Sequence, residues 1–286
     1  MRLSLLPPLA TAGLSGSAAA IALSFAALAA LAAPPPTAPP AAAPRVPVLL
    51  ELFTSEGCSS CPPADLVLAR LAEGQPVPGV EVLALSEHVD YWNRLGWADP
   101  YSSAQFSQRQ EAYATRVSGG RVYTPQAVVD GVVDLVGSNE TGLRRALAAA
   151  AERPRGTLIL SGREGARAAA TPPTGTAAAQ SIAASIALLV EARGLPTDGD
   201  LLVALVEDGL TSRVTAGENE GRTLPHAAVV RSLRRLGRSS GGAAREEVTL
   251  AIDPAWRRAG LRAVAFVQEP GGPVLAAGGL ALERAK

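Results

Sequence analysis

The chain has 286 residues, and its 26 Lys and Arg balance its 26 Asp and Glu, so nothing in the net charge of zero argues for nucleic acid or an anionic membrane surface as partner. The only two cysteines are Cys58 and Cys61, which excludes a framework of scattered, loop-closing disulfides. Once the N-terminal segment is set aside, about 240 residues remain, more than one ordinary domain holds, and two are expected.

The N-terminus, MRLSLLPPLATAGLSGSAAAIALSFAALAALAAPPP, combines a positive charge at Arg2, an apolar alanine-rich run and an A-x-A arrangement at Ala30 and Ala32. That pattern predicts a secretory signal peptide over residues 1–33, hence a periplasmic or secreted protein. The run from Ala18 to Ala33 falls short of the roughly 20 residues needed to cross a bilayer, which leaves an uncleaved N-terminal anchor as the alternative. No later stretch is long and apolar enough to cross a membrane. Residues 34–45 are too rich in Pro and Ala to pack and read as an extended linker.

VPVLLELFT (46–54) is an apolar run of a strand buried on both faces. SEGCSSCPP then turns the chain, and ADLVLARLAEG reads as a helix with apolar Leu66, Leu68 and Leu71 and a stop at Gly74. A second buried strand is expected over Val80 to Ser86, followed by the segment EHVDYW. SSAQFSQRQEAYATRV places Phe106, Tyr113 and Val117 on one helical face. RVYTPQAVVDGVVDLVG reads as two strands joined at Asp130-Gly131, and SNETGLRRALAAAAER as a helix. This order predicts a central sheet covered by helices, with Cys58 at the carboxyl end of the first strand, where open α/β sheets keep their reactive crevices.

Beyond Arg153-Pro154 the texture changes. GTLILSG, SIALLVEAR, DLLVALVED, EEVTLAID, LRAVAFVQ and GPVLAAGGLAL are short β-like segments between Gly, Pro and Asp turns, the pattern of a β-sandwich. The expected domains are therefore 46–153 and 154–286, and the stretches Ser239 to Gly242 and Pro172 to Thr176 read as loops.

A three-residue separation closes almost no loop, so the cysteine pair reads as chemical rather than structural. Thiol–disulfide exchange needs a thiolate to attack and a nearby thiol to resolve the mixed disulfide. At a helix start the first cysteine is exposed beside unpaired N–H groups that favour S⁻, while the second turns inward. Cys58 is thus the expected nucleophile and Cys61 the resolving thiol, with Pro62 and Pro63 suited to the first helical turn. Glu51, inside an apolar strand, could relay protons to or from Cys61, or could be a solvated or salt-bridged residue at a pleat edge. Glu56 reads as a surface charge. His88, Asp90, Tyr91 and Trp92 follow the second strand and could line a substrate crevice, with His88 favouring the thiolate; the alternative is ordinary packing of a long connection. His226 reads as structural, and Pro125 taken alone as an edge-strand proline after Thr124.

Residues 46–151 resemble the thioredoxin fold, on the Cys-x-x-Cys after the first strand and the Thr124-Pro125 that opens the facing hairpin. More narrowly, FTSEGCSSCPPAD, EHVDYWNRLGWADPYSS, YTPQAVVDG and GENEGRTLPHAAVVR resemble DUF1223, a family of exported bacterial proteins of unassigned function. The resemblance implies an α/β thioredoxin-like N-terminal domain followed by a β-rich, sandwich-like C-terminal domain. It also implies a cis Thr124-Pro125 bond whose loop pairs with an extended substrate.

The function expected is an exported thiol–disulfide oxidoreductase acting on protein or small-molecule thiols and disulfides, with no cofactor and no metal. One alternative is a copper-binding or copper-delivery protein using both cysteines and His88, since thiolates suit soft ions. A closed zinc site would need His226 to arrive from the second domain. Another alternative is a binding module with an inert disulfide. The stretch GENEGRTLPH, with Arg222, Thr223 and His226, is expected to border Cys58 or EHVDYW if it docks, the alternative being a solvated turn.

Overall fold

The computed structural model describes residues 44–165 and 184–282. The signal peptide expected over 1–33, the linker up to residue 43 and the loop Pro172 to Thr176 lie outside the described residues. Among the described residues no helix is long and apolar enough to cross a membrane.

β1 (Val46–Thr54) runs parallel to β2 (Val80–His88), in register from Val46↔Val80 to Thr54↔His88. Between them lies α1 (Pro62–Gly74), whose first two positions are the two prolines. Neither proline has an N–H to leave unpaired there, and the helix ends where Gln75 turns left-handed at φ 45° and bonds back to Leu71. α2 (Ala104–Arg116) is N-capped by Ser103, and α3 (Glu140–Ala151) by Asn139, each through a side-chain oxygen that accepts a backbone N–H. β3 (Gln126–Val129) and β4 (Val133–Val136) form a hairpin over Asp130-Gly131, both left-handed at φ 51° and 68°. The second half contributes β5 (Thr157–Gly165), β6 (Ala184–Arg193), β7 (Asp200–Glu207), β8 (Leu210–Arg213), β9 (Thr223–His226), β10 (Val229–Arg238), β11 (Ala243–Ile252), β12 (Leu261–Gln268) and β13 (Val274–Ala281).

The fold expected from the sequence, an α/β thioredoxin-like domain followed by a separate sandwich-like one, is not what forms. A single mixed eight-stranded sheet runs in the order β13, β12, β7, β10, β2, β1, β3, β4, with four strands from each half of the chain. The described residues are strand-rich, with thirteen strands against three α-helices. The join is made by β10, which pairs parallel with β2 at Val229↔Ser86 and antiparallel with β7. β10 gave no clear strand signal because two register shifts, between Val230 and Ser232 and between Arg235 and Gly237, break its period-two alternation. Its start meets the edge of β2 at this one pair, where Ser86 N–H donates to Ala228 O.

Two layers cover this sheet. Leu50 and Leu52 of β1 share a core with Leu68 and Leu71 of α1 and Leu143 and Leu147 of α3. Truncating Leu71 or Leu147, both fully buried, to Ala would cost about 2–5 kcal/mol. A three-stranded sheet, β11, β6, β5, supplies Leu188 and Val190 to a second core with Val203 and Leu205 of β7 and Ala263, Ala265 and Val267 of β12. The alternate β7 and β12 residues Ala204, Val206, Val264 and Phe266 belong to the first core, as a period of two requires.

Candidate functional site

β1 ends at Thr54, and the seven residues that follow fold into a tight turn before α1. Within it Cys58 N–H donates to Ser55 O and Cys61 N–H to Cys58 O, and Ala64 N–H, the first of α1, donates to Cys61 O. Cys58 and Cys61 form a disulfide with their Cα atoms 5.4 Å apart. Both residues are 0% exposed, so the expectation of an open Cys58 is corrected: Ser59 and Ser60 form the solvent side of the turn. The reason is that elements distant in sequence close over it.

The first is the Thr124-Pro125 loop, whose peptide bond is cis. Thr124 Oγ1 lies 3.4 Å from Cys58 Sγ and donates to it, while Trp92 Nε1 donates to Thr124 Oγ1 at 2.9 Å. Pro125 O accepts from Gly137 N–H, and Gly137 has no room for a side chain: a Cβ there would meet Leu52, Ala64 and Pro125. Trp92 also leans on Gly57, whose added Cβ would sit 3.1 Å from that of Trp92. Ser60 Oγ is 3.3 Å from Cys58 Sγ and, since a disulfide sulfur carries no proton, must be the donor.

The second is the loop 217–222 from the far half of the chain. Asn219 is fully buried, and its Nδ2 donates to both Glu56 O and Cys58 O, at 2.8 and 2.9 Å. Arg222 holds the Asn219 carbonyl, and Glu218 accepts from Ser59 N–H at 2.9 Å. Of the two readings of GENEGRTLPH, docking beside Cys58 rather than a solvated turn is the one found, through Glu218, Asn219 and His226 more than through Thr223, which is exposed.

Beneath the turn lies a buried ionic cluster. His88 Nδ1 donates to Asp99 Oδ2 at 2.7 Å, and Asp99 also accepts from Glu56 N–H and Tyr101 N–H. Burial by itself would push the His88 imidazolium below its usual range, but Asp99, with Asp65 and Glu56 beyond it, reverses this and holds it above. Burial likewise opposes the Asp99 charge, yet His88 and the two backbone donors hold that carboxylate below its usual range. Asp65, on the turn of α1 after Cys61, is raised by burial although Thr54 donates to it. Glu56 accepts from Trp97 Nε1 at 2.7 Å and lies 2.9 Å from His226 Nε2, at ion-pair distance but without hydrogen-bond alignment. The rings of His88 and His226 are 5.2 Å apart, with Tyr101 against both. Glu56 as a surface charge is thus corrected, and His226 is a structural residue of this cluster, packed under the cysteine turn.

The remaining expected site residues lie elsewhere. Glu51 alternates with Leu50 and Leu52, so its side chain faces α2, away from α1: it binds Arg109 Nε and Tyr113 OH, each at 2.5 Å. It has no bond to Cys61, and its salt-bridged alternative is the one realised. Glu87 lies beside it, 3.5 Å from Arg109, and burial together with the Glu51 charge holds its carboxyl well above the usual range. Asp90 pairs with Ser107 and Tyr91 with Gln110, both on α2; of EHVDYW, Trp92 reaches the neighbourhood of Cys58 through Thr124, and Tyr91 lies beside the same threonine. His88 acts on the turn through Asp99. Among the described residues no group of three or more His, Cys, Asp and Glu side chains converges as a metal site.

These features define a class: a mixed-sheet protein whose central strand delivers a Cys-x-x-Cys disulfide beneath loops from both halves of the chain. The chain belongs to DUF1223, a family described as protein of unknown function, whose model matches residues 49–268. No curated protein matches it. Its fold is similar to the crystal structure of a protein from Agrobacterium tumefaciens, at 23% identity and a TM-score of 0.62 over 85% of this chain and 97% of that one. It is also similar to HBP35 of Porphyromonas gingivalis, at 14% identity and a TM-score of 0.55 over 86% and 78%. The likeness runs through both halves together, as one continuous sheet requires.

Proposed function

We propose that this protein is an exported thiol–disulfide oxidoreductase using Cys58 and Cys61 on protein or small-molecule thiols and disulfides. The observation that carries the reading is the disulfide at the entry to α1 with two hydroxyl donors on Cys58 Sγ, from Thr124 and Ser60. Donors at that sulfur stabilise a thiolate more than a disulfide, which favours Cys58 as the attacking and leaving group. In the reducing direction the Cys58 thiolate attacks a substrate disulfide, forming a mixed disulfide and releasing one substrate thiolate, which takes up a proton. Cys61, as thiolate, then attacks Cys58 Sγ, releases the second substrate thiolate and closes the protein disulfide. Two electrons pass to the substrate, and the same steps reversed describe oxidation. An oxidising compartment, as the expected signal peptide implies, lets the disulfide persist.

A second reading, an inert disulfide in a binding module, is favoured by the complete burial of both cysteines. The two separate in graded thiol–disulfide buffers applied to the folded protein, with free thiols counted by a mass tag. Reversible two-electron titration of native protein, and mixed disulfides trapped by Cys61→Ser but not by Cys58→Ser, support the oxidoreductase. A disulfide that strong reductant opens only after unfolding supports the inert clip.

A further inference from the structure

We infer that Trp92 is a positioning residue for the redox sulfur: it orients the Thr124 hydroxyl so that the hydroxyl proton points at Cys58 Sγ, and thereby raises the thiolate fraction of Cys58. The inference rests on the reading of Cys58 as the nucleophile, and it adds a residue that touches neither sulfur by a hydrogen bond of its own.

The chemistry follows from donor counting. An indole N–H can only donate, so at 2.9 Å from Thr124 Oγ1 it obliges that oxygen to accept. The hydroxyl then has one proton to place; Cys58 Sγ stands 3.4 Å away to receive it, in competition with the oxygen of Tyr91, and a charged thiolate is the stronger acceptor of the two. Accepting from the indole also polarises the O–H bond and makes it the stronger donor. Without the indole, Thr124 is free to turn its proton away and accept from the Cys58 thiol, which favours the protonated form. Ser60 is no substitute, because it is exposed and water competes for its hydroxyl.

Trp92 is held for this task. Its Cβ lies against Gly57, where any side chain would crowd it, and its ring packs with Tyr91 against the group formed by Phe53, Val89, Tyr113 and Val128. The charged and titratable groups around the turn are Glu218 on Ser59 N–H, Glu56 with His226, Asp65 and Asp99 with His88, and Tyr91 beside Thr124. Glu218, Glu56, His226, Asp65, Asp99 and His88 are untouched by the substitutions below and cancel in the comparison; Tyr91 shares the Thr124 hydroxyl with Cys58, and Thr124→Ser, which keeps that hydroxyl, controls for it.

The test uses the full chain carrying Cys61→Ser, so that Cys58 is the one thiol left to titrate whether or not the native disulfide ever turns over. The readout is the pH midpoint of the ultraviolet thiolate absorbance, which does not depend on how easily a reagent reaches the sulfur. Thr124→Val should lower the thiolate fraction at neutral pH about tenfold, Thr124→Ser should restore it to within about twofold, and Trp92→Phe should lower it about threefold. The decisive comparison is the double variant: with Thr124→Val already present, Trp92→Phe should change nothing further. An unchanged midpoint in Trp92→Phe, or an equal shift in the Thr124→Val background, overturns the inference. If Trp92→Phe does not fold, the indole N–H resonance of Trp92 should titrate with Cys58, with Trp97 and Trp256 as internal references. A Trp92 signal that ignores the thiolate overturns it equally. Should Trp92 act as described while the native disulfide proves inert in redox buffers, the oxidoreductase reading falls and the positioning role stands.

Discussion

Replacing Asp99 with Asn tests the ionic cluster under the cysteine turn. Asp99 is 4% exposed and accepts three donors, His88 Nδ1 and Glu56 N–H on Oδ2 and Tyr101 N–H on Oδ1. An amide has one accepting oxygen, so whichever way the new side chain turns, its NH₂ faces at least one of these donors. That alone costs about 1–3 kcal/mol. A larger cost applies while His88 is protonated, because a buried imidazolium is left without its counter-charge, and breaking such a pair costs about 3–5 kcal/mol. His88 has a raised folded pKa, so its contribution is fully present below its unfolded value of about 6.5 and is lost as pH rises through the folded value. Asp99 has a lowered folded pKa, so its contribution is present above about 3.9 and is lost as pH falls through the folded value. The deficit of the variant should therefore be greatest between about pH 4 and 6.5, at least 3 kcal/mol, and shrink at alkaline pH toward the about 1–3 kcal/mol of the unpaired donor. In thermal terms the larger figure is a fall of roughly 6–12 °C for a chain of this size. Urea unfolding of the oxidised protein across pH measures it, as a shift in midpoint at constant m. A deficit that is flat across pH, or that grows above pH 8, would show that His88 is not the charge Asp99 compensates.

Glu87→Gln imitates the protonated carboxyl that burial and Glu51 favour; the wild-type contribution is present below about 4.3 and lost as pH rises through the raised folded value, so the variant should match or exceed wild-type thermal stability at pH 8 and stay within about 1 kcal/mol at pH 4. Asn219→Ala removes a buried donor from the carbonyls of Glu56 and Cys58, and should cost about 1–3 kcal/mol in urea unfolding and speed the opening of the native disulfide by a phosphine reductant. Gly131→Ala should cost more than about 1 kcal/mol, because Gly131 is left-handed at φ 68° and its new Cβ would fall 2.0 Å from Gly272 O. Each is a comparison of denaturation curves against the wild type, and an unchanged curve for Asn219→Ala would detach the loop 217–222 from the support of the turn.

Much of the first half was legible because its signals are local. Two prolines after Cys61 start α1, Asp130-Gly131 takes the two left-handed conformations of a hairpin turn, and the buried run 46–54 forms a strand where it was expected. The face taken by Glu51 was also within reach, since Leu50 and Leu52 already commit the other side of β1. Glu56 and His226 were not readable in the same way. A carboxylate in a turn is solvated by every local rule, and only the arrival of β9 and the loop 217–222 from the far half of the chain buries it.

What the sequence determined by itself is thus the set of elements over residues 46–151, the Cys-x-x-Cys pair at a strand-to-helix junction and the motifs of its family. What only the tertiary structure decided is that both halves share one sheet, that the disulfide is roofed over, and that an ionic cluster drawn from both halves supports it. The physical reason is that strand pairing runs through backbone N–H and C=O groups, which are alike at every residue: the open edge of β2 carries no mark in its side chains naming β10 as its partner. Local propensity and period specify an element; which edge it meets, and what that meeting buries, depends on contacts between residues far apart in the chain.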